Sequence, residues 1–155
     1  MNVLSRDDCI YLAGIMDARG YVHINKTFSV AHNHLSIDAL VGIYKIDESF
    51  LKILTALLGV NIGLRIRKKT ADVVSTRIDI KAANLKDLCR QVLPYMRNEI
   101  KIQQLELCMK LRDTFPVLTK ENNRRNKISD EIMKERVRIY DEFKKITTKR
   151  NQALS

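Results

Sequence analysis

A chain of 155 residues, 45% hydrophobic and 30% charged, has room for one domain around a single core and is too apolar for intrinsic disorder. No apolar run approaches the roughly 18 residues of a membrane span, and the start Met-Asn-Val-Leu-Ser lacks the basic and apolar parts of a secretion signal, so a soluble, intracellular protein without a membrane partner is expected. The formal net charge of +10 and the sequence pI of about 9.7 point to a polyanionic partner without saying which one.

Along the chain, Ser5 and Asp8 have the spacing of a capping box, and Asp7 and Asp8 suit the positive end of a helix dipole. Ile10, Leu12, Ala13, Ile15 and Met16 carry this helix to about Ala18, with Gly20 expected as a left-handed cap. Two β-rich runs follow, Tyr21–Phe28 and Ser36–Ile46, around a polar loop at His32-Asn33-His34. In the second run Ile37, Ala39, Val41 and Ile43 alternate with Asp38, Leu40, Gly42 and Tyr44, the period of a half-buried strand. Asp47 reads as the N-cap of a helix through Phe50, Leu51, Ile53, Leu54, Leu57 and Leu58, stopped by Gly59. Strands are expected at about Ile62–Lys68 and Val73–Ile80. Helices are expected at about Ala83–Tyr95 with a break at Pro94, at Asn98–Asp113, and at Ser129–Lys149 after the polar segment Thr119–Lys127. The order α-β-β-α-β-β-α-α-α holds two αββ units without a convincing internal repeat. It is read as one α+β domain over residues 1–155, with a core at about 5–113 and a helical extension at about 114–155.

Alternation divides the strands into an apolar and a polar face. Val22, Ile24 and Phe28 lie opposite Tyr21, His23, Asn25 and Thr27; Leu64 and Ile66 lie opposite Arg65, Arg67 and Lys69; Ile78 and Ile80 lie opposite Ser75, Arg77 and Asp79. Segment 61–81 has six basic residues and two acids. Such a face is either simply solvated or built for a nucleic acid, where Arg pairs with guanine, Asn with adenine and Asp with cytosine. From Lys120 to Arg150 there are eleven basic residues and six acids; most read as a solvated helix, with Arg124 and Arg125 in the preceding loop as phosphate contacts. Cys9, Cys89 and Cys108 have no Cys-x-x-Cys spacing, and His32 and His34 have no third ligand nearby. Buried reduced thiols and loop histidines are expected, and no metal site among them.

The stretch Leu12–Gly20 reads Leu-Ala-Gly-Ile-Met-Asp-Ala-Arg-Gly. It resembles the LAGLIDADG motif of the homing endonucleases, matching outright or by apolar exchange at every position except the eighth. There the family has Asp or Glu and this chain has Arg19. The family's αββαββα fold, with extra C-terminal helices in single-motif members, extends the resemblance from about Cys9 to Leu111. Leu93-Pro94-Tyr95-Met96-Arg97, followed by Lys101 and Gln103, is similar to the family's late Pro-aromatic-apolar-basic element. A basic α+β domain with a chance motif is the other reading.

Gly14 and Ala18 lie four apart on one helix face and leave space for a crossing helix. The resemblance implies that two such helices pack together; with one copy here, the second comes from a second subunit, through Tyr11, Gly14, Ile15 and Ala18. It further implies a saddle-shaped antiparallel sheet on a long pseudo-palindromic duplex. Contacts would come from Tyr21, His23, Asn25, Asp38, Arg65, Arg67, Lys69, Ser75, Arg77 and Asp79.

Family endonucleases hold Mg²⁺ with one carboxylate from each motif, and Arg19 has no acceptor atom to replace it. Asp17 survives two residues away, about 200° around a regular helix, where the family's residue is structural; it is a weak alternative ligand. Tyr44-Lys45 stands where the family often has Gln-Lys, and Arg97 keeps a basic residue that can face a phosphate. The resemblance therefore implies a sequence-specific, homodimeric double-stranded DNA-binding protein whose cleavage is lost or impaired. No cofactor is expected with Arg19 in place, and Mg²⁺ if cleavage is retained. The alternatives are an active Mg²⁺-dependent homing endonuclease, or an inactivated variant of one, and an RNA-binding intron maturase.

Overall fold

In the computed structural model, which describes residues 2–44, 48–59, 63–70, 73–80, 82–115 and 128–153, helix α1 (Arg6–Arg19) begins in the expected capping box. The Asp8 N–H donates to Ser5 Oγ at 3.2 Å, and the Ser5 N–H donates to the Asp8 carboxylate at 3.3 Å. Leu12, Ala13 and Met16 recur at helical spacing and are buried. Gly20 is not the left-handed cap that was expected; it is extended, at φ −66° and ψ 142°. Its N–H bonds the Met16 carbonyl, and a Cβ would collide with that oxygen. The chain passes from helix to strand with no residue between, so glycine is required by close approach. The left-handed glycine is Gly59 (φ +60°), at the end of α2 (Glu48–Leu58). Asn2 covers that end: its side-chain amide donates to the Leu57 carbonyl at 3.3 Å, and its N–H donates to that of Leu58 at 3.1 Å. Asp47, read as the N-cap, lies outside the described residues.

Strands β1 (Gly20–Ser29) and β2 (His34–Tyr44) form an antiparallel hairpin. The turn is tighter than expected, a 3-10 turn at Val30–His32 and then Asn33 at φ 43°, so that His34 already opens β2 opposite Ser29. Strands β3 (Gly63–Thr70) and β4 (Val73–Ile80) form a second hairpin; β4 pairs with β2, giving the antiparallel order β1-β2-β4-β3. Apolar positions align in rows, Val22 with Val41 and Ile80, and Ile43 with Ile78 and Leu64. Ile24, Ile37, Val41 and Ile43 are buried against the helices. Phe28, expected on that buried face, is 59% exposed, because it lies one residue from the end of β1 in the row nearest the turn.

Helix α3 (Ala82–Val92) stops three residues before its expected end, and Leu93–Tyr95 is a 3-10 turn. Pro94 disfavours helical backbone at the residue before it, which moves the break upstream. Asn98 then caps α4 (Glu99–Asp113) by accepting the Lys101 N–H at 3.1 Å. Helix α5 (Asp130–Ala153) closes the chain. Leu12 and Met16 of α1, Leu85 and Val92 of α3, Leu105 and Leu111 of α4, and Ile139 and Phe143 of α5 share one core with the sheet. All three cysteines are free and buried; burial pushes the Cys89 thiol up to about 12 and raises Cys108 as well. The order αββαββααα is the one expected. No described helix is long and apolar enough to cross a membrane.

Candidate nucleic-acid interface

Strand register brings the expected contact positions into continuous cross-strand rows. Asn25 lies opposite Asp38, and Tyr21 lies opposite Gly42, which pairs in turn with Asp79 and so with Gly63. Tyr44 pairs with Arg77, itself opposite Arg65, and Arg67 lies opposite Ser75. Lys69 falls at a register irregularity between Lys68 and Thr70. For Arg65, Arg67, Lys69, Ser75, Arg77 and Asp79 these are backbone positions; Arg124 and Arg125 lie outside the described residues. His23, Asn25 and Asp38 are exposed, and Asp38 accepts the Ser36 hydroxyl at 2.6 Å. The Tyr21 and Tyr44 rings sit 4.3 Å apart at 33°, joining the starting end of β1 to the finishing end of β2.

Arg19 is the last residue of α1 and is exposed, where a cation suits the negative end of the helix dipole. Two residues earlier, the Asp17 carboxylate accepts the N–H of Arg97 at 2.8 Å and the N–H of Asn98 at 3.2 Å. The exchange is mutual. Lys101, buried in α4, donates from Nζ to the Met16 carbonyl at 2.8 Å and to the Asp17 carbonyl at 2.6 Å. An acid from α1 thus binds amides at the entrance to α4, and an ammonium from α4 binds the last carbonyls of α1. This clamp fixes where residue 19 sits, while the Arg97 side chain stays exposed beside it. Sequence reasoning grouped Lys101 with the proline element and missed its grip on α1. The only signal was a lysine at an inward helical position.

Among the described residues no three of His, Cys, Asp and Glu come together to hold a metal. Arg19 offers no acceptor, and both Asp17 oxygens face amide donors. These side chains do not fit a hard divalent cation, which requires oxygen ligands.

On the outward side of α1, Ile10, Tyr11, Gly14, Ile15, Ala18 and Arg19 join Phe50 of α2 around a groove of about 420 Å³. Ile10 and Tyr11 are 46% and 49% exposed. A Cβ at Gly14 would meet nothing within 4 Å among the described residues, so nothing there requires glycine at this position.

No family model and no curated protein matches the chain at the level of sequence. Solved structures do. The chain is similar to the homing endonuclease I-CvuI, crystallised with the I-CreI target in the presence of Mg with the DNA not cleaved, at a TM-score of 0.72 and 15% identity over 92% of this chain and 85% of that one. It is similar to the archaeal intron-encoded homing endonuclease I-Vdi141I complexed with DNA, at a TM-score of 0.66 and 15% identity over 90% and 84%. The fold is that of the LAGLIDADG homing endonucleases. A third structure, the LAGLIDADG meganuclease I-CpaMI bound to uncleaved DNA, gives a TM-score of 0.64 and 20% identity over 84% of this chain but 42% of that chain. Within the LAGLIDADG frame the motif Leu12–Gly20 is the second half of α1 and its junction with β1. Gly14 and Ala18 are on its exposed side, and Arg19 stands where helix gives way to sheet.

Proposed function

We propose that the chain binds double-stranded DNA sequence-specifically as a homodimer and does not cleave it. The polar rows carry this reading: Tyr21, Gly42, Asp79 and Gly63 span all four antiparallel strands, Tyr44, Arg77 and Arg65 span three, and Asn25 faces Asp38 across β1 and β2. A sheet edged by such residue types suits the major groove. The net charge of +10 and the DNA complexes of I-CvuI and I-Vdi141I support the same partner.

Homodimerisation through Tyr11, Gly14, Ile15 and Ala18 is supported by the apolar groove and by the unfilled space at Gly14. It also fits a chain that spans 85% of I-CvuI but 42% of I-CpaMI. A two-fold dimer reads a long pseudo-palindromic site. Loss of cleavage rests on Arg19 at the motif's acidic position, with a phenol at Tyr44 where the family often has an amide. Two Arg19 side chains roughly 6 Å apart at a dyad repel by about 0.7–2.8 kcal/mol, a cost that arriving phosphates relieve.

A duplex selected from a randomised pool, then incubated with the chain and Mg²⁺, tests the proposal. Saturable binding with intact DNA is expected. Metal-dependent cuts favour the second reading, an active endonuclease, which the neighbours' names support. Preference for structured RNA over every duplex favours a maturase.

A further inference from the structure

Helix α5 touches residues of both parities on one strand. The His23 ring lies 6.4 Å from the buried ring of Phe143, edge to face, and Lys26 Nζ lies 5.3 Å from the centroid of the Tyr140 ring. Successive residues of a strand project to opposite faces, so one helix reaches His23 and Lys26 together only by lying along the strand's open side. Strand β1 is an edge of the sheet, and Lys26 shares the face of Ile24, opposite the buried Ile37, on the side where the helices pack.

The same tyrosine ring gathers a second cation. Lys144 Nζ lies 5.8 Å from its centroid, so two exposed lysines, one from the strand and one from the helix, converge on Tyr140. Among the described residues neither forms an ion pair, whereas Arg138 is held by Glu135 at 2.7 Å and by Glu142 at 2.9 Å. Charge in the first part of α5 is thus compensated within the helix. From Lys144 onward the helix contains Lys144, Lys145, Lys149 and Arg150 and no acid.

We infer that Lys26 and Lys144, set about Tyr140, form a phosphate-binding ledge on the helix side of the free edge of β1, next to the sheet face proposed to meet DNA. The inference rests on the proposed duplex binding. The ring orients both ammonium groups without neutralising them, since a cation over an aromatic face keeps its full charge. Set behind the sheet's polar face, such a pair meets the sugar-phosphate backbone rather than base edges. It adds affinity without sequence information.

The test measures salt-dependent binding to a duplex selected from a randomised pool and to a mixed-sequence duplex. In Lys26→Gln/Lys144→Gln the slope of log K against log salt should fall by about 1.8, or about 0.9 for each phosphate that is no longer neutralised, with equal weakening on both duplexes. Lys26→Arg/Lys144→Arg should keep the slope of the unmodified chain. Lys144→Gln alone, a helix-compatible change at an exposed position, should lower it by about 0.9 and tests the ledge should the double variant fail to fold. An unchanged slope in the folded variants, with the unmodified chain binding duplex, overturns the ledge and leaves the proposed function standing. Weakening confined to one sequence makes these base contacts and also overturns it. Failure of the unmodified chain to bind any duplex, or a slope change seen only on structured RNA, overturns the reading beneath it.

Discussion

Asp17 is the motif's surviving acid, and its carboxylate binds two backbone amides at the entrance to α4. Asp17→Asn should therefore lower stability by about 1.5–3 kcal/mol, the range for hydrogen bonds to a charged group. Lys101→Met, which strips the Met16 and Asp17 carbonyls of their donor, should cost about 1–3 kcal/mol. Urea denaturation with an unchanged m-value reads both; midpoints equal to the unmodified chain's would mean the clamp contributes nothing. Arg19 calls for a gain-of-function test. Arg19→Asp returns one oxygen ligand per chain, and metal-dependent nicking of the selected duplex should appear where the unmodified protein leaves it whole. If the variant still does not nick, Tyr44→Gln is the next change to add. Cutting by the unmodified protein in Mg²⁺ or Mn²⁺ would sink the binding-only reading.

At the scale of elements, α1 has two sides with different tasks. Its inner side, Leu12, Ala13 and Met16, belongs to the core, and its outer side presents Gly14 beside an exposed Tyr11. Gly14→Leu should leave the chain folded, with an unchanged far-UV circular dichroism spectrum, because a Cβ there meets nothing within 4 Å among the described residues. The same variant should move the chain from dimer to monomer in sedimentation. A variant that stays dimeric places the interface elsewhere. Strands β3 and β4 carry the readout prediction: Arg67→Ala should cost about 1–3 kcal/mol at a single base position of the target. An equal loss on every sequence would make Arg67 a phosphate contact.

For the whole molecule, burial governs the thiols. Burial places Cys89 at about 12 and raises Cys9 and Cys108 too, so the reactive thiolate is suppressed at neutral pH. The native chain should resist iodoacetamide at pH 8 and take up three equivalents once denatured, as mass spectrometry would show. Rapid alkylation of the native chain would mean that the helices open far more often than their packing implies.

How much of this was legible in sequence depends on the range of the interaction involved. Local rules sufficed for the capping box at Ser5, the β2 alternation, the Asn98 end of α4 and the element order, because each is set by residues a few positions apart. Polarity at every second strand position marked the candidate contact positions, because alternation is a property of the single strand. Gly20 and Gly59 show the limit: both end helices, yet only the path of the chain decides which one needs left-handed backbone and which lacks room for a Cβ. The rows joining Tyr44 to Arg77 and Arg65 required the crossing order β1-β2-β4-β3, which no single strand encodes. The partners of Asp17 lie 80 and 81 residues away, and Lys101 reaches back 84 and 85 residues to α1. Periodicity reports which side of an element is apolar, but not what stands against it. Those pairings depend on how the elements pack, and tertiary structure alone decided them.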